Sequence, residues 1–132
     1  MDDRYRRGLD LLNALGREEG ARILASLQDV APDFARYVVE FAFGDICSRP
    51  GLDLKTREIA TVAALTALGT APAQLRVHIK AALNLGCSRE EVIETIMQMA
   101  VYAGFPAALN GLAAAKEVFG GGGPAAAPGA AG

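Results

Sequence analysis

The chain has no Trp, a single His, and only three Tyr and five Phe among its 132 residues. Its apolar fraction of 52% is therefore carried by Ala, Leu, Val and Ile. Such side chains let helices approach closely but bury less area per residue than aromatic ones. A basic excess is also missing. Thirteen Lys+Arg against 15 Asp+Glu give a net charge of −2, which excludes general nucleic-acid binding, since that needs a concentrated basic face. Cysteine is scarce as well. Cys47 and Cys87 stand far apart and form no CxxC or metal-ligand pattern, so no disulfide scaffold is expected and both read as buried thiols. The start, Met1-Asp2-Asp3-Arg4-Tyr5-Arg6-Arg7, lacks the apolar stretch of a signal peptide. The two long uncharged runs are interrupted, 59–75 by Gly69, Pro72 and Gln74, and 95–115 by Gln98, Gly104, Pro106, Asn110 and Gly111. Both read as buried helices joined by turns rather than membrane spans. The expected location is the cytoplasm, with no membrane partner.

Helical punctuation fills the rest. Asp2 and Asp3 open a helix that Gly16 closes, and a second runs from about Glu18 to Gln28. Pro32 sits in the first turn of a third, which carries Phe34, Tyr37, Val38 and Phe41 up to the turn Ser48-Arg49-Pro50-Gly51. Asp53 caps a fourth helix whose 59–68 portion bears no charge and is expected at the centre of the core. Gly69 ends it, Pro72 starts a fifth closed by Gly86, and Ser88-Arg89-Glu90-Glu91 spells a capping box for a sixth. Gly104-Phe105-Pro106 breaks the chain before a last helix to Phe119. No stretch alternates with strand period for long, so the fold class is all-α, a compact bundle of six to seven helices. One domain over 1–119 is expected, followed by a disordered Gly/Ala/Pro tail over 120–132. Helices with so little charge need partners, and a subunit interface supplies them, so a homo-oligomer is expected.

Two residues stand out as chemistry. His78 lies on the apolar stripe of the fifth helix with Leu75, Ile79, Ala82 and Leu83. It is either a hydrogen-bonded core residue or an acid–base group facing a cleft. Glu58 stands where the fourth helix turns from charged to apolar, aligned with Leu54, Val62 and Leu65. A carboxylate on that line reaches solvent, pairs with an arginine, or is partly buried. Paired with an imidazole on a neighbouring helix, it would fix the ring's tautomer. Arg49, Arg57 and Arg76 suit bidentate carboxylate binding or surface ion pairs. Asn84, Gln74 and Tyr102 either line a pocket or face water.

These pieces occur in a familiar order. Phe43-Gly44-Asp45, Ser48-Arg49-Pro50-Gly51-Leu52-Asp53 and Thr56-Arg57-Glu58 are followed by Val77-His78-Ile79-Lys80-Ala81-Ala82-Leu83-Asn84-Leu85-Gly86. Then come Ser88-Arg89-Glu90-Glu91-Val92-Ile93-Glu94 and Tyr102-Ala103-Gly104-Phe105-Pro106-Ala107-Ala108. The whole, over roughly 5–119, resembles the carboxymuconolactone decarboxylase family, and the Arg-Pro-Gly-Leu turn its 4-carboxymuconolactone decarboxylase branch. The wider family includes thiol peroxidases similar to alkylhydroperoxidase D, with CxxC shortly before the histidine. Here the matching places hold Ala71 and Gln74, so that disulfide cycle is unavailable.

The resemblance implies an alkylhydroperoxidase D-like helical fold assembled as a trimer or a ring-like hexamer. It also implies a cofactor-free, metal-free carboxy-lyase of the β-ketoadipate pathway. The substrate would be a small lactone dicarboxylate, γ-carboxymuconolactone, and the products CO₂ and β-ketoadipate enol-lactone. His78 and Glu58 would be catalytic, and Arg49, Arg57, Arg76, Asn84 and Tyr102 would bind substrate. A family member acting on another small lactone or acid, or a non-catalytic oligomeric module, is the alternative.

Overall fold

Helix starts in this chain are made in two ways, both local. Three begin at a polar side chain that satisfies an otherwise orphaned first-turn N–H. The Asp2 carboxylate accepts from the Tyr5 amide at 2.9 Å, and Asp53 accepts from the Thr56 amide at 2.7 Å. Ser88 and Glu91 form the reciprocal capping box, with bonds of 3.0 and 2.9 Å. Three others begin at Pro32, Pro72 and Pro106, where the missing N–H costs nothing. The computed structural model describes residues 2–120. It contains α1 (Asp3–Ser26), α2 (Pro32–Tyr37), a π-helical segment (Val38–Cys47), α3 (Leu54–Leu68), α4 (Pro72–Asn84), α5 (Arg89–Ala103) and α6 (Phe105–Phe119). Among the described residues there is no strand, and no helix is long and apolar enough to cross a membrane. The expected tail over 120–132 lies, beyond Gly120, outside the described residues.

Two differences from the expected elements are instructive. The break at Gly16 is a kink inside one continuous element, with Gly16 alone leaving helical geometry. The helix from Pro32 changes after Tyr37 into the π-helical register and keeps it to Cys47. Gly69, Gly86 and Gly104, each at positive φ, sit where helices were expected to stop.

The chain forms two compact units, one through Arg57 and one from Glu58. In the first, α1 lies against the π-helical segment over a core of Leu11, Leu12, Leu15, Ala35 and Val39. Gly8 and Gly44 allow backbone-to-backbone contact there, since a Cβ on Gly8 would meet the Val39 carbonyl oxygen at 1.9 Å. Polar clamps flank that contact. Arg4 donates two bonds to Asp45, at 3.1 and 2.7 Å, and Arg7 donates to the Gly44 carbonyl at 3.0 Å. The Arg4 guanidinium holds the Asp45 carboxyl below the usual carboxylate range.

The second unit is built around Val62, Leu75, Ile79, Ala82, Cys87, Val92, Ile96, Ala114 and Ala115. Ile79 and Ile96 are fully buried, each contributing roughly 1.5–3 kcal/mol of apolar transfer energy. Gly111 on α6 sits against α3 and α5, where a Cβ would come within 2.8 Å of Ile96 and 2.9 Å of Thr66. That missing methyl lets three helices close on one another. The uncharged 59–68 stretch is buried at Val62 and Thr66 but leaves Leu68 64% exposed. It is central on one face and bare on the other.

Candidate functional site

Glu58 and His78, on different helices, meet. His78 Nδ1 lies 2.9 Å from Glu58 Oε2. The local causes are those of any helix pair. Asp53 sets the start of α3 and so the facing of Glu58, whose line of Val62 and Thr66 is buried. Pro72 sets the start of α4, and Leu75, Ile79 and Ala82 are buried around His78. Glu58 is itself 5% exposed, so its carboxylate is taken out of water onto the imidazole. An acidic side chain is rarely buried unless paired.

A carboxylate only accepts, so the bonded Nδ1 carries the proton and the tautomer is fixed. His78 Nε2 has no hydrogen bond among the described residues, and the side chain keeps 24% exposure. The pair is thus an imidazole oriented from behind, with its second nitrogen available to exchange a proton.

The other expected site residues are distributed as follows. Arg57 donates through Nη2 to the Arg49 carbonyl at 2.8 Å, tying the Ser48–Gly51 turn to the start of α3 within the first unit. Arg76 pairs with Glu117 of α6, Nε to Oε2, at 3.4 Å, with both side chains more than two-fifths exposed. A pair that exposed contributes at most about 1 kcal/mol. Neither Arg57 nor Arg76 is bonded to Glu58, whose partner is His78. Tyr102 is 77% exposed at the end of α5, and Asn84 is exposed at the end of α4. Cys47 and Cys87 are both free of disulfides, the first half-buried and the second buried as expected.

A cavity of about 270 Å³ opens within the second unit, between α3, α4 and α6. Leu65, Leu75 and Ala114 give it aliphatic walls, and Arg76, Asn110 and Glu117 supply polar groups. His78 and Glu58 do not line it. Leu75 does, one helical turn before His78, an axial step of about 4.5 Å. Sequence reasoning missed Asn110 and Glu117. The available signal was the small-residue run Ala107, Gly111, Ala114 on one face of α6, with those polar residues beside it.

Known proteins resemble this chain over most of its length. The model of the "Carboxymuconolactone decarboxylase family" matches residues 32–117. The chain is 39% identical over 119 residues to a protein from Acinetobacter baylyi named 4-carboxymuconolactone decarboxylase, covering 89% of this chain and 88% of that one. It is 35% identical over 97 residues to an uncharacterized 15.0 kDa protein of Paracoccus denitrificans, covering 73% and 72% of the two chains. A nitrosuccinic acid decarboxylase of Metarhizium robertsii is 32% identical over 75 residues, covering 57% of this chain and 52% of its own. With the family model spanning most of the chain, and a relative matched over nearly its whole length, this protein belongs to the carboxymuconolactone decarboxylase family.

Proposed function

We propose that this protein is a carboxy-lyase converting γ-carboxymuconolactone to β-ketoadipate enol-lactone and CO₂, in the protocatechuate branch of the β-ketoadipate pathway. The observation that carries the reading is the buried Glu58 bonded to His78 Nδ1 at 2.9 Å. It prepares one nitrogen for proton transfer. In the reaction, the bond from ring carbon to carboxylate breaks and CO₂ leaves. Its electron pair moves through the unsaturated lactone into the carbonyl, giving a dienolate. Nε2 of the protonated His78 then delivers a proton to the other end of the dienolate, the ring carbon next to the lactone carbonyl. That leaves the double bond at the carbon that lost CO₂, and the imidazole is reprotonated from water. The substrate's own carbonyl is the electron sink. The chain's tasks are holding the carboxylates, orienting the ring and donating the proton. Arg76, on the helix that carries His78, is the carboxylate-holding side chain of this unit. Loss of the lactone's ultraviolet absorbance on adding purified protein, with equimolar release of CO₂, tests the reading directly. A second reading, decarboxylation of another small acid, is favoured by the nitrosuccinic acid decarboxylase among the relatives, and the same assay with nitrosuccinate separates the two.

Glu58→Gln isolates the role of the carboxylate. The amide oxygen still accepts from Nδ1, but the negative charge behind the ring is gone. Turnover is expected to fall about 10- to 10²-fold, at or below the low end of general acid–base catalysis, with KM changed less than threefold. A raised KM with unchanged kcat would instead make Glu58 a substrate-positioning residue.

We also propose a homo-oligomer, a trimer or hexamer. Within the second unit Leu68, Phe105 and Leu109 are each more than 60% exposed. Light scattering at micromolar concentration is expected to give a multiple of 13.7 kDa. The mass of a lone chain would remove the proposal.

A further inference from the structure

We infer that the cavity between α3, α4 and α6 is a binding site for a small carboxylic acid, in which Glu117 occupies Arg76 until the ligand's carboxylate displaces it. Aliphatic walls with a few convergent polar groups are the usual make-up of a small-molecule site. At about 270 Å³, the space lies just under the range typical of drug-sized ligands, so the ligand is small. Arg76 is the lone cation on its wall and Glu117 the lone anion.

The pairing between them is loose. Its Nε to Oε2 approach is 3.4 Å, and no hydrogen bond joins the two among the described residues, whereas Arg4 and Asp45 in the same protein make two bonds, at 3.1 and 2.7 Å. Arg76 therefore keeps its fork of Nη donors unused among the described residues. A planar carboxylate fits that fork through two parallel bonds. Glu117, 45% exposed and not hydrogen-bonded to Arg76, has open solvent to swing into. The exchange swaps a weak internal pair for a bidentate one, and the ligand's apolar body fills the aliphatic cavity at the same time. A neutral ligand of the same shape gains only the second part. Glu117 thereby sets a threshold that favours acids.

Assigning the lactone's non-reacting carboxylate to this site rests on the decarboxylase reading, whereas the carboxylate site itself does not. Calorimetric titration of the full chain with benzoate, and with benzamide as the neutral isostere, tests the inference. Benzoate is expected to bind at least tenfold more tightly than benzamide. Glu117→Gln is expected to tighten benzoate at least threefold, and Arg76→Gln to weaken it at least tenfold. Ala113→Leu fills the cavity from its exposed wall without changing charge and is expected to abolish binding. Absence of benzoate binding overturns the inference. So does equal affinity for benzamide, an unchanged or weaker Glu117→Gln, or an unaffected Ala113→Leu. Binding as expected in a protein that consumes no lactone leaves this site standing and removes the decarboxylase reading. Lactone consumption without that benzoate pattern does the reverse.

Discussion

Replacing His78 by Gln is expected to lower decarboxylase turnover by about 10²-fold or more, the scale of a lost general acid. Each tenfold corresponds to about 1.36 kcal/mol of transition-state stabilisation, so the expected loss is at least about 2.7 kcal/mol. The substitution is chosen to leave everything else in place. Gln has a similar reach, and its amide N–H can donate to Glu58, so the buried carboxylate is not left without a partner. His78 retains 24% exposure and is not among the fully buried side chains of the core, so the fold should tolerate the change. What Gln lacks is a ring nitrogen that can both take up and release a proton. Substrate binding is assigned to other side chains, so KM should stay within about threefold. Far-ultraviolet circular dichroism and a thermal melt establish that the variant is folded, and lactone consumption then reads the effect. Near-normal turnover in a folded variant would remove His78 from proton transfer.

The second large effect is structural and belongs to the first unit. Gly8→Ala is expected to destabilise the protein by about 2–3 kcal/mol, the upper part of the range for overpacking. Two terms oppose each other here. Inside α1, Ala is intrinsically better than Gly by roughly 0.5–1 kcal/mol. Against this, the new methyl would lie 1.9 Å from the Val39 carbonyl oxygen and 3.0 Å from the Gly44 nitrogen. Those are backbone atoms, which cannot rotate aside as a side chain can, so α1 must move off the π-helical segment. That displacement also strains the Arg4–Asp45 and Arg7–Gly44 bonds on either side. The clash wins. Gly51→Ala is the matched control, because a Cβ there meets nothing within 4 Å, and it should change stability by less than about 0.5 kcal/mol. Urea denaturation midpoints compare the two. A Gly8→Ala variant as stable as Gly51→Ala would show that the helices are not in backbone contact.

The sequence alone determined what depends on near neighbours. Asp2, Asp53 and Ser88 take first-turn amides only a few residues ahead, and Pro32, Pro72 and Pro106 act through their own φ. The helix starts were therefore legible, as was the burial of the Leu75–Ile79–Ala82 stripe, which follows from helical period. Glu58 and His78 could each be singled out because each carries a polar group on an apolar line.

Only the tertiary structure decided the rest. Whether Glu58 took solvent, an arginine or the imidazole depends on how α3 and α4 approach, and no spacing within one helix specifies that. The 2.9 Å bond settles it. Gly16 reads as a terminus from its propensity, yet helix resumes beyond it, so the chain bends instead of stopping. The π-helical register of Val38–Cys47 has the same residue pattern an α-helix would have. It appears where Gly44 and the Val39 carbonyl press against α1, a contact between segments far apart in the chain. Glu117 reached Arg76, and Gly111 reached Thr66, across helices in the same way. Local hydrogen bonds and periodicity are fixed by residues within a turn or two of each other, whereas side-chain partners and cavities are fixed by helix packing, which sums weak contacts over the whole unit.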